Sequence, residues 1–191
     1  MARGTRVGPG GDRARWVNPE NYQPWWATRA ALAARLVPDG VSVLEIGEGS
    51  GAFRTLVQDR RDYLGADLAP LNPQTLALDL DRDPLPRGVF DYVVMLGVLE
   101  YLHFPKQALE KAHSTARRAI FSYCQLKPGQ TGSNSPRRER GWLNDFSRDE
   151  LLATAARAGW RLLREEPFNE YPDFVQAIFL VEHAASTASA I

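Results

Sequence analysis

The stretch VSVLEIGEGSGAF, residues 41–53, sets a β-branched, apolar run directly against Gly47, Gly49 and Gly51. A run of that kind, without polar alternation, is a strand buried on both faces, as in a parallel sheet. Three glycines behind it permit a tight strand-to-helix turn and a close approach of backbone to a ligand. Turns of this sort, opening onto a helix N-terminus, hold nucleotide-like ligands in doubly wound sheets. Three glycines can also simply make a turn. A dinucleotide reading is formally open, since Gly47, Gly49 and Ala52 fit G-x-G-x-x-A and Asp67 stands about 20 residues on. Two acids favour another ligand. Glu45 lies inside the strand, where it suits a cationic amine, and Glu48 puts a second negative charge in the loop, where a pyrophosphate would be repelled.

Working outward, strands and helices alternate. PWWATRAALAARL has helical spacing and is stopped by Pro38 and Gly40. After the glycine loop come a short helix (SGAFRTLVQD), a strand (DYLGAD), a third strand (TLALDL) and a fourth (VFDYVVML). PKQALEKAHS is a helix opened by Pro105, and RRAIFSYC is strand five. The loop QLKPGQTGSNSPRRERGW leads to the helix SRDELLATAARAG, which Ser147 and Glu150 start as a capping box and Gly159 ends. WRLLREE and FVQAIFLVEH are the last two strands, joined by PFNEYPD. That link is too short for a parallel crossover, so the last strand should run antiparallel. The segment between strands two and three, with Pro70 and Pro73, has no room for a full helix. The fold class is α/β: a doubly wound, seven-stranded, mostly parallel sheet with an antiparallel last strand.

Composition sets the bounds. The chain has 191 residues, enough for one domain with a real core and short for two. Lys plus Arg equals Asp plus Glu at 23 each, so nothing in the charge balance calls for nucleic acid. No apolar run approaches the roughly 20 residues that cross a bilayer, and the basic N-terminus lacks the apolar stretch of a secretory signal. Cys124 is the only cysteine, which excludes an internal disulfide. A soluble, cytoplasmic protein is expected. Residues 1–15, rich in Gly and Arg, read as a mobile tail, and 184–191 as a fraying end.

In this order the pieces resemble the class I S-adenosylmethionine-dependent methyltransferases. The resemblance is carried by VLEIGEGSG (43–51), YLGADLAP, LDLDRDPLP before FDYVVMLGVLEYL, and FSRDELLATAARAGW, over residues 40–182. It implies a Rossmann-like methyltransferase domain over 16–183 whose seventh strand is antiparallel. By position it implies that Glu45, Gly47, Gly49 and Gly51 surround the methionine portion of the cofactor. Asp67 would take the ribose hydroxyls, Asp79 the adenine amino group with Leu80 beside the ring, and Leu96 and Gly97 would line the floor near the sulfonium.

Methyl transfer needs alignment of the attacking atom, and a base only if the acceptor must lose a proton. Tyr101 and His103, after strand four, are the catalytic candidates. Tyr22 and Trp26 would form an aromatic wall for the substrate, with Tyr123 nearby. Arg137, Arg138 and Arg140 on the long loop would hold a carboxylate or phosphate, which favours an anionic or saccharide acceptor. Metal-ligand spacing is lacking, so no metal is expected. The reading is a metal-independent methyltransferase acting on oxygen or nitrogen of a small molecule. The alternatives are a nicotinamide-dependent oxidoreductase and a non-catalytic binding module of the same fold.

Overall fold

The computed structural model describes residues 13–18, 21–60, 62–130 and 135–185. The tail expected over 1–15 therefore lies outside the described residues as far as residue 12, and the C-terminal end does from residue 186. Arg13–Trp16 is not tail: it forms a short helix, α1, with Arg15 reaching across to the carbonyls of Glu139 and Arg140.

Seven strands form one sheet in the order β3-β2-β1-β4-β5-β7-β6. They are β1 (Val43–Ile46), β2 (Tyr63–Asp67), β3 (Leu76–Ala77), β4 (Phe90–Leu96), β5 (Ala116–Gln125), β6 (Trp160–Glu170) and β7 (Val175–His183). β1 runs parallel to both β2 and β4, and β7 pairs antiparallel with β5 and β6, as the short final link requires. That link is shorter than the sequence suggests, because β6 continues through Phe168 to Glu170. Register shifts on either side of Pro167 accommodate it, and β6 is an edge strand, where proline is tolerated.

The apolar residues divide between two faces. Leu44, Ile46, Val93, Met95 and Phe121 pack beneath α4 (Pro105–Thr115) and α6 (Arg148–Arg157), which follows the short α5 (Ser135–Glu139). Val43, Val94, Leu96 and Ile120 pack with Ala30 and Ala33 of α2 (Trp25–Ala34) and Val57 of α3 (Arg54–Val57). A fully buried side chain of this size contributes about 1.5–3 kcal/mol, so the two faces are the main source of stability. The capping box on α6 is present in full: Ser147 accepts from the Glu150 amide, and Glu150 accepts from the Ser147 amide at 2.8 Å. No helix of the described residues is long and apolar enough to cross a membrane.

Between β2 and β4 the described chain contains no helix, only the two residues of β3. Polar pins take the place of the missing cover. Lys111 on α4 donates to the carbonyls of Leu80 and Asp83 at 2.6 and 2.8 Å. Asp81 accepts the amides of His103 and Phe104 at 3.0 and 3.2 Å, so one carboxylate ties the segment to the start of α4. At the other end Glu48 leaves the glycine loop and turns back under β2. It accepts from Thr75 Oγ1 at 2.6 Å and from Arg54 Nη1 at 3.2 Å.

Gly65, in the middle of β2, makes that arrangement possible. A Cβ there would stand 1.9 Å from Oε2 of Glu48, so the carboxylate fills the place of a side chain. Gly65→Ala is expected to destabilise the protein by about 1–3 kcal/mol, the range for overpacking. In a Glu48→Ala background the same substitution should cost distinctly less. Denaturant unfolding of the four proteins measures the coupling, and equal costs in the two backgrounds would disprove the pairing.

Candidate functional site

β1 is followed by a helix on one face of the sheet, α3, and β4 by a helix on the other, α4. The two connections diverge, and a cavity opens at the carboxyl ends of β1, β2 and β4, where doubly wound sheets bind ligands. Its empty space is about 1210 Å³, open solvent at the mouth included.

The glycine loop forms the rim. Gly47 has φ +79°, and a Cβ on it would come within 2.5 Å of Val98 Cγ2, so both conformation and packing require glycine there. The amide of Gly49 donates to Asp67 Oδ2 at 2.8 Å, and that of Ala69 donates to Oδ1 at 2.8 Å. Each Asp67 oxygen thus accepts one backbone bond and keeps further acceptor capacity at the cavity wall. Asp79, Leu80, Leu96 and Gly97 also line the cavity. Asp79 accepts from the Asp81 amide at 3.1 Å and lies 3.7 Å from Arg82. Gly51 does not line it: its amide and carbonyl close the turn into α3, through Glu48 O and Thr55 N.

Glu45 is 2% exposed and accepts a short hydrogen bond from the Tyr63 hydroxyl. Burial pushes its carboxyl up to about 8 despite that bond, and the Tyr63 hydroxyl is also raised by burial. Glu45 is therefore mostly a neutral acid at neutral pH in the ligand-free protein. A cationic group brought against it would draw the proton off.

One side of the cavity is walled by Trp16, Tyr22, Trp26 and Tyr101. Tyr22 and Trp26 stand where the sequence suggests, and Trp16 joins them from α1. Tyr101 is close enough to meet Trp16 edge to face at 4.7 Å. Burial holds its hydroxyl well above the usual tyrosine range, so it is a wall and a hydrogen-bonding group and not a base near neutrality.

Five residues expected near the reaction are engaged elsewhere. His103 does not line the cavity: Nδ1 faces Asp81 Oδ2 at 3.0 Å, and the ring belongs to the pins that hold the 79–83 segment. Tyr123 is fully buried, donating to Asn144 Oδ1 at 2.6 Å and accepting from the Phe146 amide at 3.0 Å. The three arginines form no anion clamp. Arg137 is 1% exposed, pairs with Asp145 at 2.6 Å, donates to Cys124 O at 2.8 Å and lies over Trp142. Arg138 pairs with the same Asp145, and Arg140 pairs with Asp173 at 2.7 Å. Each guanidinium already has its carboxylate, supplied by residues 145 and 173, which linear spacing on the loop does not reveal.

Sequence reasoning passed over Arg29, which is 8% exposed and lines the cavity. The signal was available. On α2 it follows Trp26 by three positions and precedes Ala33 by four, so it is a charge within the buried stripe of the helix. Arg15 and Trp16 belong to a stretch without apolar period, and only the fold brings them to the cavity. Among the described residues no group of three or more His, Cys, Asp or Glu is arranged to hold a metal.

The Glu45 shift has a sign that can be measured. An unfolded glutamate titrates near 4.5, so between that value and 8 the folded protein holds the extra proton. The associated stability is complete below the unfolded value and is lost as pH rises through the folded one. Calorimetric melting of the ligand-free protein from about pH 5 to about pH 9 should show Glu45→Gln losing less stability than the parent as pH rises. Parallel curves for the two proteins would rule out the buried neutral acid.

The comparisons with known proteins agree with this geometry. A family described as a methyltransferase domain matches residues 20–165. Among solved structures, the chain is similar to a 1,6-didemethyltoxoflavin-N1-methyltransferase of Burkholderia thailandensis, with TM-score 0.68, 16% identity, and 90% and 87% of the two chains covered. It is similar to the magnesium protoporphyrin IX methyltransferase of Synechocystis PCC 6803, with TM-score 0.63, 15% identity and 86% of each chain covered. An S-adenosylmethionine-dependent methyltransferase of Mesorhizobium loti gives TM-score 0.61 and 18% identity, over 80% of this chain and 96% of that one. No curated protein matches. With its family match spanning most of its length, and with the seven-stranded sheet of that fold, the chain belongs to the methyltransferase-domain family.

Proposed function

We propose that the cavity binds S-adenosylmethionine and that the enzyme transfers its methyl group to a small-molecule acceptor, at oxygen in preference to nitrogen. The observation that carries this reading is the convergence of Glu45, Gly47, Asp67 and Asp79 on one cavity at the switch point of the sheet. Glu45 offers a carboxyl that can yield its proton and pair with the cofactor's amine. Gly47 and Gly49 present bare backbone along the path of the methionine portion. Asp67 has acceptor capacity left for two ribose hydroxyls. Asp79, with Leu78 and Leu80 beside it, provides an acceptor and aliphatic walls for the adenine.

The cofactor supplies a methyl group on a positively charged sulfur, which an attacking lone pair displaces in line. The chain's own part is orientation: holding the cofactor by Glu45 and Asp67 in strands and by Gly47 and Asp79 just beyond strand ends, and presenting the acceptor from the aromatic side. Two structural neighbours are methyltransferases named for 1,6-didemethyltoxoflavin and magnesium protoporphyrin IX, which supports a small-molecule acceptor. A saccharide or phosphorylated acceptor loses its support, because the arginines invoked for it are paired within the protein.

The nicotinamide alternative also changes standing. Glu48 does not project into the loop as a repelling charge; it bonds Thr75 and Arg54. What weighs against that alternative is the family match. Titration calorimetry with S-adenosylhomocysteine alongside NADH separates the two, and micromolar binding of the former alone is expected. Asp67→Ala should weaken that binding by about 1–3 kcal/mol, the scale of hydrogen bonds to a charged group. A folded variant with unchanged affinity would show that Asp67 does not hold the ribose.

A further inference from the structure

Arg29 carries a buried charge with no ion-pair partner among the described residues. Its Nε has no hydrogen-bond partner, and no carboxylate among the described residues reaches ion-pair distance. The guanidinium lies over the rings of Trp25 and Trp26, at 5.4 and 5.5 Å. These contacts offset part of the desolvation of the cation and leave its donors without acceptors. A Cβ on Gly97 would come within 2.3 Å of Nη1, so the fork rests on the bare backbone at the end of β4. A planar fork of donors in a cavity is the complement of a carboxylate or an oxyanion.

The groups facing Arg29 are Glu100 and Tyr101 after β4, Cys124 on β5 and Glu45 on β1. Burial pushes both carboxyls toward the neutral form and keeps Tyr101 and Cys124 protonated. Among the described residues neither carboxyl comes within ion-pair distance of the guanidinium.

Beside it stand the half-buried rings of Trp16, Tyr22, Trp26 and Tyr101. Trp16 meets Tyr101 at 89°, and Trp16 and Tyr22 tilt from Trp26 by 41° and 39°. None of these pairs closes face to face. Apolar rings turned into a cavity, with one unanswered cation among them, suit a flat acid.

Resting on the methyltransferase reading above, we propose that Arg29 holds the ionised oxygen of a flat, ring-bearing acceptor, a phenolate or an enolate, against the end of β4. Trp16, Tyr22, Trp26 and Tyr101 are the walls for its ring. A guanidinium favours the charged form of a bound hydroxyl and lowers its pKa, so the proton leaves to solvent on binding. That removes the need for a base, which a hydroxyl acceptor otherwise has. Tyr101, held protonated, and Glu45, bonded to Tyr63, are not placed to be one.

The cofactor's own α-carboxylate shares this chemistry, and one experiment separates the sources. Protein saturated with S-adenosylhomocysteine is titrated with 4-nitrophenol and with 7-hydroxycoumarin, whose ionisation changes their absorbance. Both probes should bind as anions, with an apparent pKa lowered by about one unit. Arg29→Met should abolish that shift and weaken probe binding about tenfold, while S-adenosylhomocysteine affinity, measured by calorimetry, changes less than about threefold. Arg29→Lys keeps the charge without the fork; it should retain part of the shift and serves if the methionine variant does not fold. Trp16→Ala should weaken the probes and leave the shift in place. Loss of S-adenosylhomocysteine binding in Arg29→Met would assign Arg29 to the cofactor and overturn the proposal. So would parent protein that binds the cofactor product and neither probe, or binds the probes neutral. Parent protein that binds no S-adenosylhomocysteine would overturn the underlying reading and this proposal together.

Discussion

The divergence of the chain after β1 and after β4 is the constraint on which the functional end of the molecule depends. The strands are hydrogen-bonded neighbours, yet the helices that follow them cover opposite faces of the sheet. Neither connection can fill the gap between them, so a crevice is unavoidable. Every feature of the cavity follows from that gap. The last side chains of β1, β2 and β4 end at its floor, and the glycine loop is bent at its edge because the chain must leave β1 at once. The covering helix α2 meets the crevice with whatever its buried stripe contains, which includes Arg29.

Most of the sheet was legible because strand and helix periods differ and because turns carry their own residues. VSVLEI, FDYVVML and RRAIFSYC are apolar on consecutive positions, and only a sheet covered on both faces accepts that. The antiparallel last strand followed from a link too short to cross over. The third strand was overdrawn: TLALDL reads as six strand residues, but Leu76–Ala77 alone pair, since the carboxylates of Asp83 and Asp79 turn the chain by accepting the amides of Asp79 and Asp81. The cavity lining at the ends of β1, β2 and β4 was legible for a related reason, as Glu45, Asp67 and Leu96 lie at or next to strand ends, whose positions the periodicity fixes. The aromatic side of the cavity was not. Its walls come from α1, the segment before α2, and the turn after β4, and no linear spacing connects residues 16, 26 and 101.

Buried charges show the same limit from the side of energetics. Glu45, Glu48, Glu100 and Arg137 are all nearly inaccessible, and their fates differ. Glu48 has two partners, Arg137 has Asp145 and a carbonyl, Glu45 has a neutral tyrosine, and Glu100 has one oxygen bonded to the Cys124 amide and one without a partner. A carboxylate with a cationic partner keeps its charge in a low-dielectric place, and one without tends to lose it. The acid expected to repel a phosphate became a pin for the missing helical cover because Gly65 left it space. Glu48 and Gly65 are each unexplained alone and explained together. Sequence patterns weigh positions singly, whereas desolvation is settled by pairs.

The arginine-rich segment shows how such pairs shape the cavity at a distance. Arg137, Arg138 and Arg140 hold residues 137–142 against Asp145, Asp173, Trp142 and Phe174. With that segment fixed, the carbonyls of Glu139 and Arg140 are in place to accept Arg15 at 3.4 and 2.9 Å, which anchors α1 across the mouth of the cavity. Trp16 is the next residue, so the anchoring of Arg15 is what holds its indole against Tyr101. The positive charges of the loop therefore act on the cavity through the placement of an aromatic ring, and the arginine of the covering helix that lines it is Arg29 on α2. A protein whose loop arginines bound an anionic acceptor would have no such anchor, and its first helix would have nothing to close upon.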